Sequence, residues 1–154
     1  LRSESTGSVH IKSADAGEPP AIRFNFLSTE HDRAGILAVI RKGRELMATS
    51  PLKEITGEEI APGAKLQSDA ELLEWVRNNA ETTYHPVGTC KMGSDPLAVV
   101  DRELRVHGIE GLRVADASIM PTLTSGNTNA PAIMIGEKCA EMVLASAAAR
   151  KAAA

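Results

Sequence analysis

The sequence has no excess of positive charge. Seventeen Lys and Arg stand against twenty Asp and Glu, and 17 − 20 leaves −3 with neutral histidines. A nucleic-acid grip normally shows a basic surplus, so that class of partner is excluded. Long apolar runs are missing too, and nothing approaches the ~20 residues needed to cross a bilayer. There are only two cysteines, Cys90 and Cys139, too few for a disulfide framework. A reduced, cytoplasmic setting is the expectation. The first ten residues are polar, begin at Leu1 and hold no signal-peptide core. They read as the interior of a longer polypeptide, so a fragment is expected. What is present is ordinary globular material: 43% apolar and 24% charged residues over 154 positions. That is too apolar and too weakly charged for a disordered chain, and long enough for one compact core.

Residues 8–12 alternate, with Val9 and Ile11 on one side, and residues 21–27 alternate better. Ile22, Phe24 and Phe26 share a face there, which predicts a half-buried strand. The connector 13–20 carries Asp15, Gly17 and Pro19-Pro20, so the two strands pair antiparallel. Ile36, Val39, Ile40, Gly43, Leu46 and Met47 fall on one helical stripe. Thr29 can cap that helix, with Glu30 and Asp32 at its positive end. Residues 52–67 show no period and read as loop. Ser68-Asp69-Ala70-Glu71 is a capping box opening a short helix, with Leu72, Trp75 and Val76 inward and Asn78-Asn79 at its end. A strand pair, 103–106 with 112–115, follows, with His107-Gly108 in the turn and the Leu104/Val106 and Leu112/Val114 faces packed on the final helix. That helix runs from about 131 to about 147 and tolerates Pro131 in its first turn. It is apolar nearly all round and is expected to be buried. The Ala-rich end is expected to fray. These elements predict an α+β fold: an antiparallel sheet with packed helices.

Three stretches crowd polar and glycine residues where no period is present. They run from Thr82 to Gly93 (with Tyr84-His85-Pro86-Val87-Gly88-Thr89-Cys90 inside), from Gly111 to Pro121 (with Val114-Ala115-Asp116-Ala117-Ser118), and from Thr124 to Glu137 (with Ser125-Gly126-Asn127-Thr128-Asn129-Ala130-Pro131 leading into the helix). Their order and spacing resemble the C-terminal signature of the glucose-methanol-choline (GMC) flavin oxidoreductases. Three linked motifs are far more specific than one. The match is close over 81–142 and looser before it, where strand, strand, helix resembles the family's substrate-binding half. Asn127, followed by Ile135-Gly136-Glu137-Lys138, is more like the choline-dehydrogenase type than the glucose oxidases, which have His there. The resemblance divides the chain into a substrate-binding part (1–80), a catalytic, flavin-proximal part (81–148) that is a C-terminal piece of the FAD-binding layer, and an Ala-rich tail (149–154).

The resemblance implies an FAD-dependent oxidation of a small-molecule alcohol. Such a reaction needs a base at the hydroxyl, and His is suited to it. His85 takes that role, with Pro86 favouring an extended backbone at it. Asn127 offers a neutral amide donor to the alkoxide that forms. The hydride goes to flavin N5, and the helix opening near Asn129 to Pro131 suits the reduced, anionic flavin. The resemblance places Tyr84, Asp116, Ala117, Asn127, Thr128 and Asn129 near the cofactor.

Each residue also has a plainer reading. His10 and His31 are surface histidines, and His107 is a turn residue. Asp116 forms an Asx turn, and Asn127 and Asn129 are a turn and a helix cap. Cys90 and Cys139 are plain thiols, and no metal site is formed, since His85 and Cys90 have no second ligand pair. The Gly-x-Gly-x-x-Gly that cradles a dinucleotide pyrophosphate is absent from all 154 residues. The expected partner is therefore an upstream FAD-binding segment. The alternative is a binding or assembly module that uses no flavin.

Overall fold

The structure is a computed structural model describing residues 2–153. It contains two compact units, Ser3–Thr83 and a second that begins at Tyr84 and includes Arg2. As the sequence predicts, it is α+β, with one antiparallel two-stranded sheet and four α-helices.

In the first unit β1 (Ser8–His10) pairs with β2 (Ala21–Arg23), with Val9 opposite Ile22. Gly7 is needed at the start of the ribbon, because a Cβ there would run into the Arg23 carbonyl oxygen. The predicted strands shorten to three residues each. β2 ends because Asn25 (φ 57°) and Leu27 (φ 56°) turn left-handed, and Asn25 Nδ2 donates to the Thr6 carbonyl at 3.0 Å. The expected half-buried face is corrected: Ile22, Phe24 and Phe26 are exposed, and the two Phe rings stack on each other at 5.0 Å. Among the described residues no helix packs on the ribbon, and two strands alone have no second layer to bury against.

Helix α1 (Glu30–Met47) starts at the predicted cap: the Asp32 N–H donates to Thr29 Oγ1 at 3.2 Å. Leu37 of this helix is buried, and the helix packs against α3 (Asp69–Asn79). The predicted capping box is present in full at Ser68 and Glu71, and Leu72 and Val76 are buried. Between them the loop reading of 52–67 is corrected in part. One turn of helix, α2 (Leu52–Ile55), opens it, too short to show a period. The remainder is organised by Arg44 of α1. Its guanidinium donates to the Glu59 carboxylate at 2.9–3.1 Å and to the carbonyls of Gly63 and Leu66. That pairing holds the Glu59 carboxyl below the usual carboxylate range.

Asp32 performs a similar task for the N-terminal segment. Its carboxylate accepts from the Ser3 hydroxyl (2.6 Å) and from the Glu4 and Ser5 N–H groups (3.0 and 2.8 Å). Burial pushes its pKa up, but these hydrogen bonds outweigh burial and hold it well below the ordinary value. A carboxyl depressed in the folded state stabilises fully above its unfolded pKa of ~3.9 and loses that contribution as pH falls below it. The bonds are partly solvated, so a contribution of about 1–2 kcal/mol is reasonable for a charged acceptor. Asp32→Asn is therefore expected to speed amide exchange at Glu4 and Ser5 about tenfold at neutral pH. The parent should lose that protection only on acidification below ~pH 4. Equal protection in both proteins at pH 7 would show that the carboxylate does not hold the segment.

In the second unit the predicted strand pair becomes isolated bridges. Arg105 pairs with Arg113 and Val100 with Val106, both antiparallel, and Met92 pairs parallel with Val100. The pairing partner is right, but no strand extends, because Leu104 is left-handed (φ 65°) and Asp101 draws the Glu103 and Arg105 N–H groups onto its carboxylate. Leu104 is buried, and Val106 and Val114 pack against its cluster, whereas Leu112 is exposed. Helix α4 (Asn129–Ala153) contributes Ile135, Cys139 and Met142 to the same core, with Val100, Ile119 and Met120. The expectation of an all-round buried helix is corrected: Ile133, Met134, Val143 and Leu144 are exposed. The second unit covers only one face of the helix. Nor does the helix stop near 147. It continues through the Ala-rich stretch, as the strongest helix former allows, with Arg150 and Lys151 at its negative end.

Candidate functional site

From Tyr84 onward, the three motif stretches meet inside the second unit. The first lies along the second through two backbone bonds: the Cys90 N–H donates to the Ser118 carbonyl at 3.0 Å and the Met92 N–H to Ile119 at 2.8 Å. Gly88 (φ 88°) makes the approach possible, since its Cα faces the Met120 carbonyl with room for little else. The second stretch forms a single 3-10 turn, Ala117–Ile119, that packs on α4. The third joins the first through one side-chain hydrogen bond. His85 Nδ1 lies 2.8 Å from Thr128 Oγ1, across 43 residues of sequence.

His85 is half-buried, and Nε2 has no hydrogen-bond partner among the described residues. Thr128 is buried, with 8% of its surface exposed. Asn127, its neighbour, is exposed and directly precedes it in the chain. Tyr84 is exposed and left-handed (φ 60°), an uncommon conformation for a bulky residue. Asp116 accepts the Ser118 N–H at 2.7 Å and so makes the Asx turn of the plainer reading. Ala117 starts the 3-10 turn and packs against the core. Asn129 is the first residue of α4, so the reading of Asn129 as the cap is corrected. The cap position belongs to Thr128, whose carbonyl accepts the Ala132 N–H at 2.9 Å. Of the other histidines, His107 Nε2 contacts the Gly93 carbonyl in its turn, and His10 and His31 lie exposed on β1 and α1. Among the described residues no cluster of His, Cys, Asp or Glu could hold a metal, both cysteines are free, and no helix is long and apolar enough to cross a membrane.

Sequence reading missed the hydroxyl-to-imidazole bond. Its signal was local: Thr precedes the helix by one position and Pro131 stands three residues on.

The site thus combines an imidazole, an exposed amide and the open start of a helix. The chain belongs to the GMC oxidoreductase family, whose C-terminal domain pattern matches residues 3–136. It is 55% identical over 143 residues to an oxygen-dependent choline dehydrogenase of Escherichia coli O127:H6 (strain E2348/69 / EPEC), covering 93% of this chain and 26% of that protein. Among solved structures, pyridoxine 4-oxidase from Mesorbium loti is similar with a TM-score of 0.85 and 36% identity, over 91% of this chain and 27% of that one. An FAD-dependent oxidoreductase from Chaetomium thermophilum is similar with a TM-score of 0.82 and 30% identity, over 89% and 24%. The chain thus spans about a quarter of the length of these relatives.

The residues present fit one end of an FAD and not the other. The exposed surface around Tyr84, Asn127 and the first turn of α4 is open to a ring system, and the N–H groups there favour negative charge. Nothing in the sequence supplies the glycine-rich cradle for the pyrophosphate.

Proposed function

We propose that this chain is the catalytic, substrate-side portion of an FAD-dependent enzyme that oxidises a primary alcohol, with choline as the first candidate. The observation that carries this reading is the 2.8 Å contact between His85 and Thr128, which ties the first motif to the third. The choline assignment rests on the 55% identity to the E. coli enzyme.

FAD, when bound, supplies the two-electron acceptor for the hydrogen lost from the carbinol carbon. His85 takes the hydroxyl proton at Nε2, the nitrogen that has no hydrogen-bond partner among the described residues. Asn127 donates its amide N–H to the oxygen as it becomes negative, which a neutral donor can do at every pH. Tyr84, Asn127, Asn129 and the edge at Asp116 and Ala117 line the flavin end. The backbone N–H groups of Asn129 and Ala130, at the start of α4, stabilise negative charge there. The remaining polypeptide, with the pyrophosphate cradle, packs on the exposed apolar face of α4 at Ile133, Met134, Val143 and Leu144, since apolar patches of this kind mark interfaces.

Two measurements test the reading. The 154-residue chain titrated with FAD is expected to quench flavin fluorescence with a Kd weaker than about 1 μM, or ~−8 kcal/mol. Tighter binding would show that the chain holds its own cofactor site. The flavin-loaded full-length enzyme is expected to bleach on anaerobic addition of choline. Failure to bleach with choline but bleaching with another primary alcohol would replace the substrate. Failure with all alcohols would overturn the activity.

A further inference from the structure

We infer that Thr128 is a positioning residue for His85: its hydroxyl fixes the tautomer and the plane of the imidazole. The inference rests on His85 acting as the base. An N-cap hydroxyl ordinarily accepts the N–H of the second or third helical residue. With Thr128 at the cap of α4, the third helical residue is Pro131, which has no N–H to give. The hydroxyl lies instead 2.8 Å from His85 Nδ1, and the side chain that carries it is buried.

The chemistry of that contact follows from what each group can do. For Nε2 to accept a proton, the neutral ring must carry its hydrogen on Nδ1, and Nδ1–H then donates to Thr128 Oγ1. When Nε2 takes the substrate proton, Nδ1–H remains a donor, and the bond becomes charge-assisted. The hydrogen bond made by one ring nitrogen decides which tautomer the other presents. A hydroxyl in this place holds the ring before and after proton transfer without introducing a charge. Without it, Nδ1–H loses its acceptor, so the tautomer that leaves Nε2 open to a proton is disfavoured, and the ring is free to rotate about its side-chain bonds. Misplacement of a reacting group by about 1 Å typically costs ~10²-fold in rate.

The test uses Thr128→Val, which keeps the branched shape and removes the hydroxyl, and Thr128→Ser, which keeps the hydroxyl. In the flavin-loaded enzyme Thr128→Val is expected to slow anaerobic flavin reduction by about 10–100-fold, and Thr128→Ser to recover most of that loss. Nitrogen-15 NMR of labelled histidine gives an independent readout, with the His85 signals assigned by their loss in His85→Gln. The parent is expected to show His85 with its hydrogen on Nδ1, and Thr128→Val a mixture of tautomers. An unchanged tautomer in Thr128→Val would overturn the proposal, whatever the rates. A parent-like rate in Thr128→Val, with His85→Ala inactive, would also overturn it while leaving His85 as the base. If His85→Ala is fully active, the base assignment fails instead, and the tautomer measurement still decides whether Thr128 fixes the ring.

Discussion

His85→Ala in the flavin-loaded enzyme is expected to slow anaerobic flavin reduction by an alcohol about 10²–10⁴-fold, the usual contribution of a placed general base. The loss belongs to the chemical step. Among the described residues the ring's one hydrogen bond is to Thr128, so its removal leaves one buried hydroxyl short of a partner, worth about 1–3 kcal/mol. The core of the second unit, built on Val100, Leu104, Ile119, Met120 and Ile135, does not include His85 and remains intact. Flavin content is therefore expected to stay near the parent's and the melting temperature to fall by only several degrees, while the rate collapses. Added imidazole, entering the space left by the ring, is expected to restore part of the rate. A variant that reduces its flavin at the parent rate would return His85 to a structural role, and the base would have to lie elsewhere.

Asn127→Ala is expected to lower the same rate by about 10²–10³-fold, the cost of removing one donor to a developing oxyanion. Asn127 is exposed, so truncation leaves no cavity and no stranded partner to confuse the result. The decisive comparison is Asn127→His. Imidazole can donate an N–H from a similar place, so this variant is expected to lie between the parent and Asn127→Ala. If alanine and histidine are equally damaging, shape and not donation is what Asn127 contributes. If alanine is harmless, the oxyanion donor is another group. Binding of the alcohol is expected to change little in either variant, because the amide contributes most once charge develops on the oxygen.

The local features that short-range chemistry dictates were legible along the chain. The caps at Thr29 and Ser68 and the amphipathic α1 and α3 follow from neighbours three or four residues apart, and the antiparallel ribbon from alternation at every second residue on either side of a turn-rich connector. So does the family, because its three motifs are contiguous stretches in a fixed order. Arg105 and Arg113 do face each other, as the paired stretches predict, although no strand forms. That failure has a local cause which periodicity does not register: a left-handed Leu104 and an Asp101 carboxylate that takes two backbone N–H groups.

By itself, then, the sequence determined the ribbon, α1 and α3 with their caps, the existence of a final helix and the membership of the GMC oxidoreductases, since each rests on residues close together in the chain. Tertiary structure alone decided the rest. It brought His85 to Thr128 across 43 residues, a pairing that no spacing rule contains. It also anchored residues 59–66 to Arg44 and residues 3–5 to Asp32 through single charged side chains, whose long-range partners are invisible to a pattern of neighbours. Finally, it divided an α4 that is apolar nearly all round into a buried face at Ile135 and Cys139 and an open one at Met134 and Leu144. Apolar composition states that a surface seeks cover, but only the packing of the other elements determines which side receives it.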